Sequence, residues 1–312
     1  MRIVFMGTAE LACRPLDALF AKPEFKIVAV VTQPDRPRGR DLRLQPSPVK
    51  ARAIEHKLPV LQPDRARDPA FIAELQRLAP ELIVVVAYGQ ILPQSILDLP
   101  QHGALNVHTS LLPKYRGAAP IQWAILNGDQ QTGVTIMKMD AGLDTGPILA
   151  QEPTRISDED TSQTLHDRLA AIGAGLLVAT IPEFVSGKIA PQSQPIEGAS
   201  YARKITKEDG QIDWSQPARI IHNRVRAFVP WPGAYTWRMH GSKRTLLKLW
   251  SSRVVTRTSG SPGEVTGGPD ALVVGSGDGA LEIIELQREG SRRMTAAQYL
   301  AGHPMAPGEH LG

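Results

Sequence analysis

The sequence predicts two parts of different grammar: an α/β first part built on a doubly wound, mostly parallel sheet, then a small antiparallel β-barrel. Three observations carry this. Short β-branched apolar runs recur at 2–7 (RIVFMG), 26–32 (KIVAVVT) and 82–88 (LIVVVAY). Segments of helical periodicity lie between them, near 12–21, 48–57 and 68–78; strands buried on both faces and alternating with helices imply a parallel sheet. Beyond residue 206 the pattern changes to alternating runs at 234–240, 244–250, 271–275 and 280–286, as expected of a small barrel. A length of 312 residues also suits two domains better than one.

The elements follow in order. The turn after the first strand, Gly7-Thr8-Ala9-Glu10, holds one glycine and not the three of a dinucleotide fingerprint, so a nicotinamide cofactor is not supported. After Gly103 a short strand through Asn106 and His108 leads into a Pro/Gly-rich loop. Residues 133–139 (GVTIMKM) and 147–156 read as two more strands, joined by the turn-rich run from Asp140 to Gly146. Asp160-Thr161 then caps a long helix expected to reach Ser186. The first domain is placed at 1–188, a linker rich in Pro, Gly, Gln and Ser at 189–206, and the second domain at 207–312, opening with a helix over 216–228.

Composition narrows the function. With 42% hydrophobic and 21% charged residues the chain suits a globular protein. Cys13 is the only cysteine, which excludes an internal disulfide and argues against a thiolate metal site; it reads as a small residue on the inner face of the first helix. No signal peptide is evident and no apolar stretch reaches about 18 residues, so the expectation is a cytoplasmic protein with no membrane contact. A monomer is the default expectation. Net charge is only +4, yet residues 201–312 carry 15 Lys/Arg against 10 Asp/Glu, so the basic part is the tail.

The chemistry points to three residues. Asn106 and His108 are two apart, so on an extended strand both side chains leave the same face, at the rim where α/β folds bind ligands. Asp144 lies in the turn-rich loop, with Gly142 and Gly146 letting the backbone bend around it. Taken singly, each is more often a structural residue. Together, a carboxamide donates to an oxyanion, an imidazole passes a proton and a carboxylate orients the imidazole, the three roles of acyl transfer to an amine. No serine or cysteine nucleophile with a matching base is evident, so direct transfer is expected, without a covalent intermediate and without a metal.

The string NVHTSLLPKYRGAAPIQWAI (106–125) and the run TGVTIMKMDAGLDTGP (132–147) resemble the signature of the folate-dependent formyltransferases. This resemblance implies a Rossmann-like catalytic domain, catalysis by Asn106, His108 and Asp144, and 10-formyltetrahydrofolate as co-substrate. It also implies folate binding by Ser110, Leu111, Leu112 and Pro113. The loop QPDRPRGRDLRLQPSPVK (33–50) is similar to one that methionyl-tRNA formyltransferases insert against the tRNA acceptor end, implying initiator methionyl-tRNA as partner and Arg36, Arg38, Arg40 and Arg43 as its contacts. The family loop usually carries lysines where this one has Asp41-Leu42-Arg43. IDWSQPARIIHNRVRAFVPWPGAYT (212–236) resembles the opening of the family's C-terminal domain, expected to be an OB-like tRNA-binding barrel.

Two other readings stay open on sequence grounds: the same chemistry on a small amine, which the arginine loop disfavours, and a noncatalytic RNA-binding relative, which the intact triad disfavours. Arg224, Arg226, Arg238, Lys243, Arg244 and Lys248 are candidates for a surface that tracks a nucleic-acid backbone, each alone an ordinary solvated charge. Trp231 and Trp237 are expected in the core.

Overall fold

The computed structural model describes residues 1–38, 43–241, 243–255, 260–268 and 270–312, and the chain divides into two compact units. The first holds residues 1–120, 131–155 and 166–202; the second holds 121–130, 156–165 and 203–312.

In the first unit the chain runs through β1 (Arg2–Gly7), α1 (Cys13–Phe20), β2 (Lys26–Val31), β3 (Arg36–Arg38), β4 (Arg43–Gln45), α2 (Pro48–Glu55), β5 (Val60–Leu61), α3 (Pro69–Leu78) and β6 (Leu82–Val86). Then come α4 (Gln94–Leu97), β7 (Ala104–His108), β8 (Arg116–Gly117), α5 (Pro120–Leu126), β9 (Gln131–Lys138), β10 (Ile148–Arg155), α6 (Ser162–Val185) and β11 (Tyr201–Ala202), of which α5 after Pro120 and the first residues of α6 fall in the second unit. Among the described residues, seven strands form one sheet in the order β10-β9-β7-β6-β1-β2-β5. The five on the β5 side of β9 are parallel, and β9 runs antiparallel to both of its neighbours, β7 and β10. The expected apolar runs explain the parallel part: every residue of β6 is buried, as are five of the six in β1. Helix starts follow local chemistry, with the Ser47 hydroxyl accepting Lys50 N–H ahead of Pro48, and the Asp68 carboxylate accepting Ala70 N–H ahead of Pro69. Cys13 sits inside, as expected, and burial pushes its thiol up to about 11.

Because β1 has β2 on one side and β6 on the other, the strand order reverses between β1 and β6, which opens a crevice at their carboxyl ends. The loops there are tied together: Thr8 Oγ1 and Gln33 Nε2 both donate to Tyr88 O, at 2.9 Å each.

Two expectations need correction here. Helix α6 is 24 residues long and holds an 18-residue stretch of mean hydropathy 1.5, long and apolar enough to cross a membrane by length and composition, although no stretch of that kind was expected. Its apolarity has a local reason, since Leu169 and Leu177 are fully buried and a Cβ on Gly173 would lie 2.8 Å from Val107 of β7. The helix lines the sheet. The stretch expected to be a linker is instead tied to the first unit at several points as far as Ala202: Gln192 exchanges two backbone hydrogen bonds with Ile148 (2.7 and 2.8 Å), and β11 pairs in parallel with β8.

Beyond Ala202 the second unit continues with α7 (Ala218–Ala227), then β12 (Ala234–His240), β13 (Lys243–Val255), β14 (Leu272–Gly275), β15 (Ala280–Arg288), β16 (Met294–Thr295) and α8 (Ala296–Gly302). The strands form an antiparallel sheet ordered β12-β13-β15-β14, with β16 also on β15. Its core joins Leu247, Leu249 and Leu281 of the strands to Ile221 and Val225 of α7 and Tyr299 of α8.

Arg226 and Arg238 are not surface cations. Both are buried: Arg226 donates to Asn223 Oδ1 and to the carbonyls of Ser157 and Asp160, and Arg238 to Glu309 and the carbonyls of His303 and Pro304. A guanidinium has five donors, and satisfying them internally is what makes such burial tolerable. Trp231, expected inside, is half exposed.

Candidate active site

β7 delivers Asn106 and His108 at its carboxyl end, and the 140–146 loop brings Asp144 to them. Asn106 Nδ2 donates to Asp144 Oδ1 at 3.3 Å, and His108 Nδ1 lies 3.7 Å from the same oxygen. The other carboxylate oxygen, Oδ2, accepts the Gly117 N–H at 2.8 Å. The three residues singled out in the sequence are thus together. His108 Nε2 sits 2.6 Å from Tyr115 O. A carbonyl only accepts, so Nε2 carries hydrogen and Nδ1, facing Asp144, is the nitrogen left to exchange a proton.

Asp144 has φ = +52°, in the left-handed region where Asp is among the better tolerated residues but still strained. The loop is built around it. Asp140 Oδ1 accepts Gly142 N–H (3.0 Å) and Thr145 Oγ1 (2.7 Å), and a Cβ on Gly146 would sit 1.9 Å from Lys138 O, so only glycine fits there.

The loop after His108 is pinned from the sheet. Thr135 Oγ1 on β9 donates to Ser110 O (2.6 Å) and accepts Leu112 N–H (3.1 Å), and Gln151 on β10 donates to Leu112 O (2.9 Å). Ser110 Oγ accepts Tyr115 N–H (2.9 Å) and donates to Tyr115 O (3.0 Å). Of the four residues expected at the folate, the side chains of Ser110 and Leu112 are therefore turned inward, and Leu111 and Pro113 are half-buried.

The arginine loop is a hairpin at its base. Arg36 pairs with Gln45 and Arg38 with Arg43 across β3 and β4, and Arg36 Nη2 donates to Gln33 Oε1 at 2.8 Å. Below it Asp35 takes the Lys50 ammonium at 2.6 Å and the Gln62 amide at 2.8 Å, contacts that hold its carboxyl below the ordinary 3.8. Arg40 lies outside the described residues. Among the described residues no group of three or more His, Cys, Asp or Glu is arranged to hold a metal ion.

Sequence reasoning missed Gln194, Arg116 and Gly117. Gln194 donates to the carbonyls of Asp144 and Gly146, at 2.8 Å each, and accepts from Arg116 Nε (3.1 Å) and Nη2 (2.8 Å). Nothing in a run of Gln, Ser and Pro signals such contacts.

A mostly parallel, doubly wound unit with an Asn, a His and an Asp meeting at the end of β7 defines a class. The profile of the formyl transferase family matches residues 1–181 and that of its C-terminal domain matches residues 204–304, and the chain belongs to this family. Within it, the chain is 49% identical over 313 aligned residues to the methionyl-tRNA formyltransferase of Geobacter sulfurreducens, covering 100% of this chain and 97% of that one. Identity is again 49% to the methionyl-tRNA formyltransferase of Caldanaerobacter subterraneus, with 100% of both chains covered. An N-formyltransferase from Helicobacter canadensis, solved with folinic acid and dTDP-3-aminofucose, shares the fold with a TM-score of 0.64 at 18% identity, over 94% of this chain and 99% of that one.

Proposed function

We propose that the chain transfers the formyl group of 10-formyltetrahydrofolate to the free α-amino group of initiator methionyl-tRNA, giving N-formylmethionyl-tRNA in the cytoplasm. The observation that carries the chemistry is the meeting of Asn106 and His108 at one oxygen of Asp144; the acceptor rests on the full-length likeness to methionyl-tRNA formyltransferases.

The amine attacks the formyl carbon. Asn106 gives one N–H to Asp144, and its second N–H stabilises the tetrahedral oxyanion. His108 takes at Nδ1 the proton that the attacking amine loses, while Asp144 orients the ring. It passes a proton to the folate nitrogen as the formyl C–N bond breaks and tetrahydrofolate leaves. Folate lies against the backbone of Ser110 and Leu112 and the side chains of Leu111 and Pro113. The β3–β4 arm, with Arg36, Arg38, Arg40 and Arg43, meets the tRNA acceptor end. In the second unit, taken as an OB-like barrel, the outward face of β12 and β13 supports RNA contact: the Arg244 guanidinium lies 3.9 Å from the centroid of the Trp237 ring, and Lys248 stands beside Tyr235. The enzyme acts as a monomer and needs no metal.

The test is formyl incorporation into purified methionyl-tRNA, initiator against elongator, with free methionine and glycinamide ribonucleotide as control acceptors. Labelling of the initiator is the expected result, and labelling of a small amine alone overturns the acceptor. His108→Ala is expected to lower turnover by about 100-fold or more with tRNA affinity retained; near-normal turnover removes the assigned role.

A further inference from the structure

We propose that Gln194 is a positioning residue for the Asp144 carboxylate, so that the strap of chain 192–202 is part of the catalytic apparatus and not a tether. This rests on the reading in which Asn106, His108 and Asp144 perform formyl transfer. Between residues 191 and 198 every residue is exposed except Gln194, which turns inward. Its carboxamide there uses its full capacity: both amide hydrogens are donated, to Asp144 O and Gly146 O, and the carbonyl oxygen accepts twice from Arg116.

Those four bonds join the two loops that must face each other. One carries Asp144; the other carries Arg116 and Gly117, and the Gly117 N–H holds Asp144 Oδ2. The strap also grips the second loop directly. Arg116 N–H donates to Ser200 O (2.8 Å), and a Cβ on Gly117 (φ = +107°) would stand 2.7 Å from Ala202 O. Asp144 therefore receives the strap twice, at its backbone through Gln194 and at its carboxylate through Gly117.

The strain at Asp144 makes this matter. A non-glycine residue in the left-handed region persists only where its surroundings over-determine it. Where its carboxylate points follows from that backbone, so removing two donors from its own carbonyl and that of Gly146 lets Oδ1 swing away from Asn106 and His108. Misplacement by about 1 Å is worth about 100-fold in rate.

The experiment measures kcat and KM for formyl transfer by the full chain, carrying Gln194→Met, which keeps the stem and removes all four bonds, and Gln194→Glu, which still accepts from Arg116 but cannot donate to the two carbonyls. Both are also made in an Asp144→Asn background, with thermal unfolding as the check on folding. The expected result is kcat lower by about 10- to 100-fold in both single variants, with KM for methionyl-tRNA changed by less than about 3-fold. Where Asp144→Asn is already present, the second substitution is expected to add little, because Gln194 acts through that carboxylate. Wild-type kcat in Gln194→Met, full activity in Gln194→Glu, or an equal loss in the Asp144→Asn background would each overturn the proposal. If the unsubstituted chain labels only a small amine, the assignment of methionyl-tRNA fails, and the same variants measured on that amine still decide the role of Gln194.

Discussion

The Asp209 carboxylate of the second unit is held by Arg203 Nη1 (2.8 Å) and Nη2, with the Thr206 N–H adding a further bond at 2.8 Å. The Arg203 bonds are the main reason its carboxyl lies far below the ordinary 3.8. The folded chain thus keeps Asp209 ionised where the unfolded chain protonates it, so its stabilisation is complete above a pH of about 4 and is lost as pH falls below that. Asp209→Asn is expected to cost about 1 kcal/mol at neutral pH, modest because the Arg203 head is half exposed, and the gap to the unsubstituted chain is expected to close in acid. Urea unfolding at pH 7 and pH 3 checks this; a gap that is constant with pH refutes it. Such pairs are invisible in sequence, whereas Asn106, His108 and Asp144 were legible because the strings around them resemble a family signature; strand period alone places only Asn106 and His108 on one face. Gln194 was not, because its partner at Asp144 is 50 residues away and its neighbours are ordinary surface residues.

Among the elements, α6 and the parallel strands were readable because apolar periodicity and capping act locally. What α6 does with its two central glycines required the fold. Gly175 has nothing within 4 Å of an added Cβ and is exposed, so Gly175→Ala is expected to stabilise by about 0.5–1 kcal/mol through helix propensity. Two residues earlier the sign reverses. At Gly173 the added methyl would press on Val107, the residue between Asn106 and His108, and overpacking costs about 1–3 kcal/mol, more than the propensity gain. Thermal midpoints of the two variants should move in opposite directions, and Gly173→Ala should also lose activity; a rise in both midpoints disproves the close packing of α6 on β7. The arginine-rich hairpin was readable only as a loop, because strands of three residues give too short a run for alternation to register. Arg226 and Arg238 were misread for a different reason: carbonyls that accept from a guanidinium leave no trace in sequence.

For the molecule as a whole, a change of grammar near residue 206 suggested two consecutive domains, but the compact units are not consecutive. Residues 121–130 and 156–165 belong with 203–312. Trp123 Nε1 donates to Arg203 O (3.0 Å) and Ser162 Oγ to Val229 O (2.5 Å), while Ile125 and Ile156 are buried. A chain cut after Ala202 is therefore expected to expose these apolar residues, to bind a hydrophobic dye and to aggregate, as seen by dye fluorescence and sedimentation. A fragment that stays monomeric and dye-silent contradicts the division.

The interleaving also bears on how the protein is made. The 72 residues from 131 to 202 separate the 121–130 segment from Arg203, where the main body of its unit begins. At synthesis rates of about 5–20 residues per second, that segment waits about 4–14 s for its partners to leave the ribosome. During that interval Ile121 and Ile125, both buried in the folded chain, await the rest of the unit to which they belong.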